Sequence, residues 1–431
     1  MFIEEIWRKY TVNIRKNIMV SEKPMEVTME IRPIKPEEKI LKDKIQSIAF
    51  LYKEDFDKKK DDPLESQDEY KTCRAAFDDT GKMCSCLEMI PFHVSFDGSV
   101  VLMGGIGGVA SLPEERDNKY IRSIFNYVMQ EMYDKGYVFS YLYPFSHKYY
   151  RKFGYELNMT TTNYSIPAAS FRQFEQTGKL KLYTNDMDPC EIISCYEKYI
   201  RDKNLSVIRT DRLWKKFFEK DPYKDNVYLY IWYNTLGEAE GYIQFHTEKS
   251  DTAMKIMHVH ELIWINREAF NGILSFVGAL TAQIETLSWR SPSYVNLLPL
   301  FHEPYDIKQE IVTYGMNRIV NVEKAFNYMT LPEGSGEITI AVDDGFFPVN
   351  SGSYTIKWDN ESHTVKKDQG QGDLMQNQAD LYCDVQTLSQ LVTGFTGVDE
   401  LKLAGKIDIK GNEKLLSRIF TKKELFINNY F

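Results

Sequence analysis

The chain has 431 residues, of which 43% are hydrophobic and 27% charged, and its formal net charge is -9. That length predicts two to four domains with ample core, and the composition is that of an ordinary soluble globular protein. No strongly basic run stands out to displace counterions, so nucleic acid is not expected as a partner. The six cysteines, Cys73, Cys84, Cys86, Cys190, Cys195 and Cys383, form no CxxC pair, which reads as reduced thiols in a cytoplasmic protein without structural zinc. The start, MFIEEIWRKY, lacks a signal-peptide pattern, and the apolar runs fall short of the roughly 18 residues a membrane span needs. No membrane association is expected.

Residues 1–28 form an extension ahead of Met29-Glu30-Ile31-Arg32-Pro33-Ile34, which reads as a first strand. After Pro36 the spacing of Ile40, Leu41, Ile45, Ile48 and Phe50 predicts an amphipathic helix, and the charged stretch Lys53 to Glu69 reads as a solvated loop. Cys84 to His93 and Phe96 to Met103 alternate as two antiparallel strands joined near Asp97-Gly98. Ile106 to Leu112 reads as a further strand, stopped at Pro113 and followed by the polar loop Glu114 to Lys119. Then Ile121, Ile124, Phe125, Val128, Met129 and Met132 mark one face of a helix that ends at Gly136, where a left-handed cap is tolerated. Val138 to Tyr143 follows as an aromatic-rich strand, so strand, helix and strand form a crossover unit.

Thr160 to Ile166 closes this first unit, and Pro167 opens a second. Met187 to Lys203 and Arg212 to Glu219 read as helices, Val227 to Trp232 and Gly241 to Thr247 as a strand pair around Gly237. Met257 to Ile265 is a strand leading into a helix from Glu268 to Ile284, an order of elements that repeats the first unit. Met316 to Glu323 reads as the link to a third unit, with strands at Ile338 to Val342, Gly352 to Trp358 and Glu361 to Lys366 and helices at Val385 to Thr393 and Asn412 to Ile419. His258 and His260 alternate on their strand beside Val259 and Leu262, which suggests packing; without a third ligand no metal site is expected.

The phrases Gly107-Gly108-Val109-Ala110-Ser111-Leu112-Pro113-Glu114, Tyr143-Pro144-Phe145-Ser146 and Tyr150-Arg151-Lys152-Phe153-Gly154-Tyr155 resemble the hallmarks of the GCN5-related N-acetyltransferases (GNAT), and within them the enhanced intracellular survival (Eis) acetyltransferases. The resemblance covers nearly the whole chain after Met29. It implies an α/β (α+β) architecture: a GNAT domain over residues 29–166, a degenerate GNAT-like domain without cofactor over 167–322, and a sterol carrier protein-like domain over 323–431. Ala379-Asp380-Leu381 and Leu403-Ala404-Gly405 carry the last likeness.

The resemblance further implies acetyl-CoA as cosubstrate, no metal, and a primary amine as acceptor, either a small aminoglycoside-like molecule or a lysine-bearing peptide. By position, the main chain of Val109, Ala110 and Ser111 would hold pantetheine, and Arg116, Asp117, Asn118, Lys119, Tyr120, Ile121 and Arg122 would cradle the phosphates. Phe145 and Ser146 belong to the same coenzyme site. Tyr150 would be the general acid, and the carboxylate of Phe431, the last residue, the general base. A hexamer is expected by the same analogy. Glu424 and the acids between Asp55 and Glu69 are the candidates for an acidic acceptor pocket. The loop departs from the family pattern, since Lys119 stands at the glycine position and Asp117 adds a negative charge beside the expected anion. That departure motivates a rival reading, a GNAT-fold protein that binds a ligand or lipid without catalysis.

Overall fold

The computed structural model describes residues 29–59, 69–368 and 379–431. The extension at 1–28 and the acids among residues 60–68 lie outside the described residues. Twelve strands form one sheet: β1 (Glu30–Pro33), β2 (Cys73–Phe77), β3 (Met83–Phe96), β4 (Ser99–Ser111), β5 (Phe139–Leu142), β6 (Glu156–Pro167), β7 (Lys179–Leu182), β8 (Val227–Tyr233), β9 (Ala239–Lys249), β10 (Lys255–Trp264), β11 (Ile284–Pro292) and β12 (Lys308–Ile319). Their spatial order is β1-β2-β3-β4-β5-β12-β6-β11-β10-β9-β8-β7. Two pairs in it are parallel, β4 with β5 and β10 with β11, and a helix crosses over between the members of each, Tyr120–Asp134 in the first and Arg267–Ala279 in the second. The repeat expected from the order of elements is therefore a repeat of topology.

The first crossover helix buries Ile124, Phe125, Val128, Met129 and Met132, the spacing that predicted it. Elsewhere the strands run differently from expectation. Phe96–Met103 and Ile106–Leu112, read as two strands, fall mainly in one strand, β4, because Gly104 and Gly105 between them keep their pairing to Pro91 and Ile90 of β3, while Phe96 ends β3. The predicted helix Glu268–Ile284 stops at Ala279, and Ile284 begins β11, where Ile284, Leu287 and Trp289 are buried. The Met316–Glu323 link is strand as far as Ile319, with Met316–Ile319 paired to β5. Asn317 and Arg318 within it are fully buried. The strand Cys73–Phe77 has no alternation to announce it, since all five residues are buried.

The third unit is a five-stranded sheet, β15-β14-β13-β16-β17, built from β13 (Gly336–Asp343), β14 (Gly352–Trp358), β15 (His363–Asp368), β16 (Leu381–Asp384) and β17 (Asp408–Ile409). Its helix Val385–Thr393 docks on the large sheet. Asn158 of β6 donates to Thr393 Oγ1 at 2.7 Å, and the Ile319 amide donates to Ser389 Oγ at 2.9 Å. One hydrophobic cluster runs from Phe96, Phe139 and Met159 to Val385, Leu388 and Leu391, so the third unit shares a core with the first.

Candidate active site

β4 and β5 pair only from Met103–Phe139 to Ile106–Leu142. Beyond that, β5 ends while β4 continues to Ser111, and Gly108 adopts a left-handed φ of 56° that turns the strand. The β4 edge from Gly107 to Ser111 thus has no strand on the side where β5 lay. Unpaired strand edges hold main-chain donors and acceptors ready for an extended ligand.

The C-terminal tail enters this opening. It is pinned first at Asn204, whose amide donates to Glu424 O at 2.8 Å and whose carbonyl accepts from the Phe426 amide at 3.1 Å. Phe426 is buried against Tyr196 and Tyr199. Next, Asn428 donates to Glu261, and Arg209, paired bidentately with Glu261 at 2.9 and 2.5 Å, donates to Asn429 Oδ1 at 3.4 Å. Tyr143 then donates to the Asn429 carbonyl at 2.7 Å and stacks on Tyr430 at 4.6 Å. Phe431 comes to rest with its ring 4.9 Å from Phe92 and 5.2 Å from Tyr143.

Two glycines of β4 make room for that residue. A β-carbon at Gly105 would stand 2.7 Å from the Phe431 ring, inside any tolerated contact, and one at Gly107 would lie 3.4 Å from the Phe431 carboxyl carbon. The carboxyl carbon of Phe431 therefore lies over Gly107, at the start of the unpaired edge.

Tyr150 sits on the short helix His147–Arg151, whose first turn is capped by Ser146 accepting from the Tyr149 amide at 3.3 Å. Its ring is buried among Phe125, Phe145, Tyr149 and Tyr155. Its hydroxyl makes no hydrogen bond among the described residues, and burial, with Tyr149 and Tyr155 beside it, pushes the phenol well above its ordinary range. A neutral donor without an internal partner is the state a general acid needs. The helix turns off at Gly154, which has φ 81° and against which the Arg318 guanidinium packs. Arg318 donates to the Phe153 carbonyl and pairs with Asp344 of the third unit, all of it fully buried.

The loop of the first crossover is a 3-10 turn, Pro113–Asn118, followed by Lys119 and the helix Tyr120–Asp134. No side chain caps that helix, so its first amides face outward, the usual receptor for a phosphate. Arg116, Asn118 and Lys119 are exposed at this rim, and Asp117 lies in the turn. Tyr120 is buried and Ile121 half-buried against the core, so both can offer only main chain to a ligand. Exposed Arg122 lies 5.2 Å above the Phe346 ring. Phe145 is 74% exposed.

Lys119 has φ 60° and ψ 12°, the left-handed conformation that explains glycine at this position in the pattern the loop departs from. Holding a non-glycine residue there costs roughly 1–2 kcal/mol, while glycine loses about 0.5–1 kcal/mol more chain entropy on folding. Lys119→Gly is accordingly expected to stabilise the protein by about 0.5–1 kcal/mol, read as a raised midpoint in thermal unfolding.

Of the acidic candidates, Glu424 pairs with Lys203 and lines a separate cavity of about 410 Å³ with Tyr199, Trp264 and Tyr294. Asp55 accepts from the Asp57 amide at 3.3 Å, and the rest of that stretch falls almost wholly outside the described residues. Sequence reasoning missed the anchors of the tail. Tyr143 was in view as part of a motif, whereas Arg209 and Glu261 are 52 positions apart and carry no local signal.

Comparison with known proteins agrees with this architecture. Acetyltransferase (GNAT) domain profiles match residues 30–158 and 205–319, and a sterol carrier protein domain profile matches 322–428. The chain is built from two GNAT acetyltransferase domains and a sterol carrier protein domain. No curated protein matches the sequence. Among solved structures, a conserved protein of unknown function from Enterococcus faecalis, described as a probable N-acyltransferase, superposes with a TM-score of 0.79 at 22% identity over 94% of this chain and 100% of that one. A GCN5-related N-acetyltransferase from Anabaena variabilis gives 0.78 at 21% identity, and Eis1 from Mycobacterium abscessus 0.76 at 17%, each over 94% of this chain and 100% of the other. At these identities the likeness is one of fold. No helix among the described residues is long and apolar enough to cross a membrane.

Proposed function

We propose that the chain is an acetyl-CoA-dependent N-acetyltransferase for primary amines of aminoglycoside-like or lysine-like chemistry, working in the cytoplasm as a homo-hexamer. The observation that carries the reading is the Phe431 carboxyl group lying over Gly107, where the edge of β4 becomes unpaired. A terminus held by successive hydrogen bonds and four aromatic contacts is ordered at a considerable entropic cost, which a functionless tail has no reason to bear.

Acetyl-CoA supplies the acetyl group as a thioester. The main chain of Val109, Ala110 and Ser111 binds its pantetheine arm as an added strand. The outward amides of Tyr120, Ile121 and Arg122, with Arg116, Asn118 and Lys119 at the rim, receive its phosphates. Phe145 and Ser146 border the same channel. The Phe431 carboxylate accepts a proton from the incoming amine, directly or through water. A free α-carboxylate has a pKa of about 3.3–3.7 and is a weak base, so efficient proton transfer requires that it be partly desolvated or act through water. Tyr150 donates its phenolic proton to the departing sulfur and regains one from solvent or from the protonated terminus.

The rival reading, ligand binding without catalysis, is favoured by one observation, the strained Lys119 at the phosphate loop. Calorimetry with acetyl-CoA on the native chain and on Lys119→Gly separates the two. Micromolar binding by the native chain is expected, with at most a severalfold gain in the variant. Binding that appears only in Lys119→Gly would contradict the proposal and favour the rival.

A further inference from the structure

The second GNAT domain carries a side-chain cluster remote from the splayed strands. His246 on β9 stands directly across from His258 on β10, and His260 follows two residues along the same strand. The His246 ring stacks on His258 at 4.8 Å and on His260 at 4.7 Å, and Nδ1 of His246 is 2.9 Å from Nε2 of His260. Glu248, two residues beyond His246, brings a carboxylate oxygen within 3.2 Å of Nε2 of His258. That nitrogen is shielded from solvent, yet the approach is too poorly directed to count as a hydrogen bond. One ligand atom each from His246, Glu248 and His258 lie within 4.8 Å of one another.

We propose that His246, His258 and Glu248 form a binding site for a divalent first-row transition ion, zinc foremost, with His260 orienting His246. Two imidazoles and a carboxylate are a ligand set that zinc accepts. Atoms no more than 4.8 Å apart share a point within about 2.8 Å of all three, against Zn–N distances of about 2.0–2.1 Å, so closing the site takes shifts of ~1 Å together with rotation of one of the two stacked imidazoles to turn its in-plane lone pair onto the ion. Such shifts are open to these side chains, because His246 and His258 are half-buried and Glu248 is exposed. The tautomer of His246 that donates Nδ1–H to His260, 2.9 Å away, leaves Nε2 to ligate, the outer-shell support that metal-bound histidines ordinarily have. A fourth position opens on a cleft of about 720 Å³ lined by His258, His260, Ser288 and Arg290, with room for water or an exogenous ligand. Without an ion, a histidine ladder accounts for the contact between His246 and His260 and an ion pair for that between Glu248 and His258; an ion adds a well-directed partner for Nε2 of His258, which makes no hydrogen bond.

The test is titration of the metal-free, tag-free full chain with Zn²⁺ by calorimetry and with Co²⁺ by visible absorption. One equivalent bound with a Kd of about 1–10 µM is expected, and the Co²⁺ spectrum should be that of a four- or five-coordinate site. His246→Gln, His258→Gln and Glu248→Gln should each weaken Zn²⁺ binding at least tenfold, and His260→Gln by about tenfold. Cys190→Ser, which removes the one exposed cysteine among the six, should change nothing. Two results overturn the proposal: no binding by the native chain at 100 µM ion, on the order of a tenfold excess over the expected Kd, or affinity unchanged in His246→Gln and His258→Gln, either of which leaves a histidine ladder only.

Discussion

On the proposed function, Tyr150→Phe is expected to lower kcat for acetyl transfer about 100-fold while leaving acetyl-CoA affinity within a factor of two, because general acids contribute roughly 10²–10⁴ to the rate. The geometry makes the comparison clean. The ring is held by Phe125, Phe145, Tyr149 and Tyr155, contacts a phenylalanine keeps. The lost hydroxyl has no hydrogen-bond partner among the described residues, so no donor or acceptor is orphaned and the change in stability stays below about 1 kcal/mol. If Tyr150 were merely a packing residue, kcat would stay at the native value. Stopped assays of thiol release alongside calorimetry read both quantities. Because burial raises the phenol's pKa, its ionisation should not set the alkaline limb of the rate profile below about pH 10.

Arg318→Met is expected to destabilise the chain by about 3–5 kcal/mol, the usual consequence of leaving one member of a buried ion pair alone. Arg318 and Asp344 are both fully buried, and the pair joins β12, at the end of the second GNAT domain, to the sterol carrier protein domain. Asp344 would keep the Phe347 amide at 2.9 Å and Asn350 Nδ2 at 3.0 Å as partners, which places the loss toward the lower end. The same change withdraws the donor to the Phe153 carbonyl and the plane on which Gly154 rests, so the turn carrying Tyr150 loosens as well. Urea unfolding measures the loss. Adding Asp344→Asn should recover part of it, whereas independent, additive losses would show that the two groups do not act as a pair.

How far these sites were legible in the sequence follows the range of the interactions that build them. The crossover of β4, helix and β5 could be read because the signals are local: Ile124, Phe125, Val128 and Met132 at helical spacing, and Gly136 at the stop. Tyr150 and Gly154 stood in a recognisable phrase, and Phe431 was singled out by that resemblance. The purpose of the glycines in β4 was hidden, since Gly105 and Gly107 clear space for a residue more than 300 positions away. The burial of Arg318 has no local signal, since a charged side chain is seldom fully buried and its partner Asp344 lies in another domain. The helix from Glu268 was carried on to Ile284 because Leu280 and Ile284 continue the apolar spacing of Phe276, and the strand that begins at Ile284 was not read. The histidines were seen as two of one strand. Only the β9–β10 register supplies the third, with Glu248 beside them.

The most direct test of the central claim replaces the terminal carboxylate of Phe431 by a carboxamide through ligation of a synthetic C-terminal segment. The ring, its contacts with Phe92 and Tyr143, and the tail anchors at Glu261 and Asn204 are all retained, so the two chains differ in the proposed base alone. With acetyl-CoA and a panel of primary amines, kcat should fall at least ~100-fold in the amide with acetyl-CoA affinity unchanged. Turnover by the amide at the native rate would show that the carboxylate is not the base.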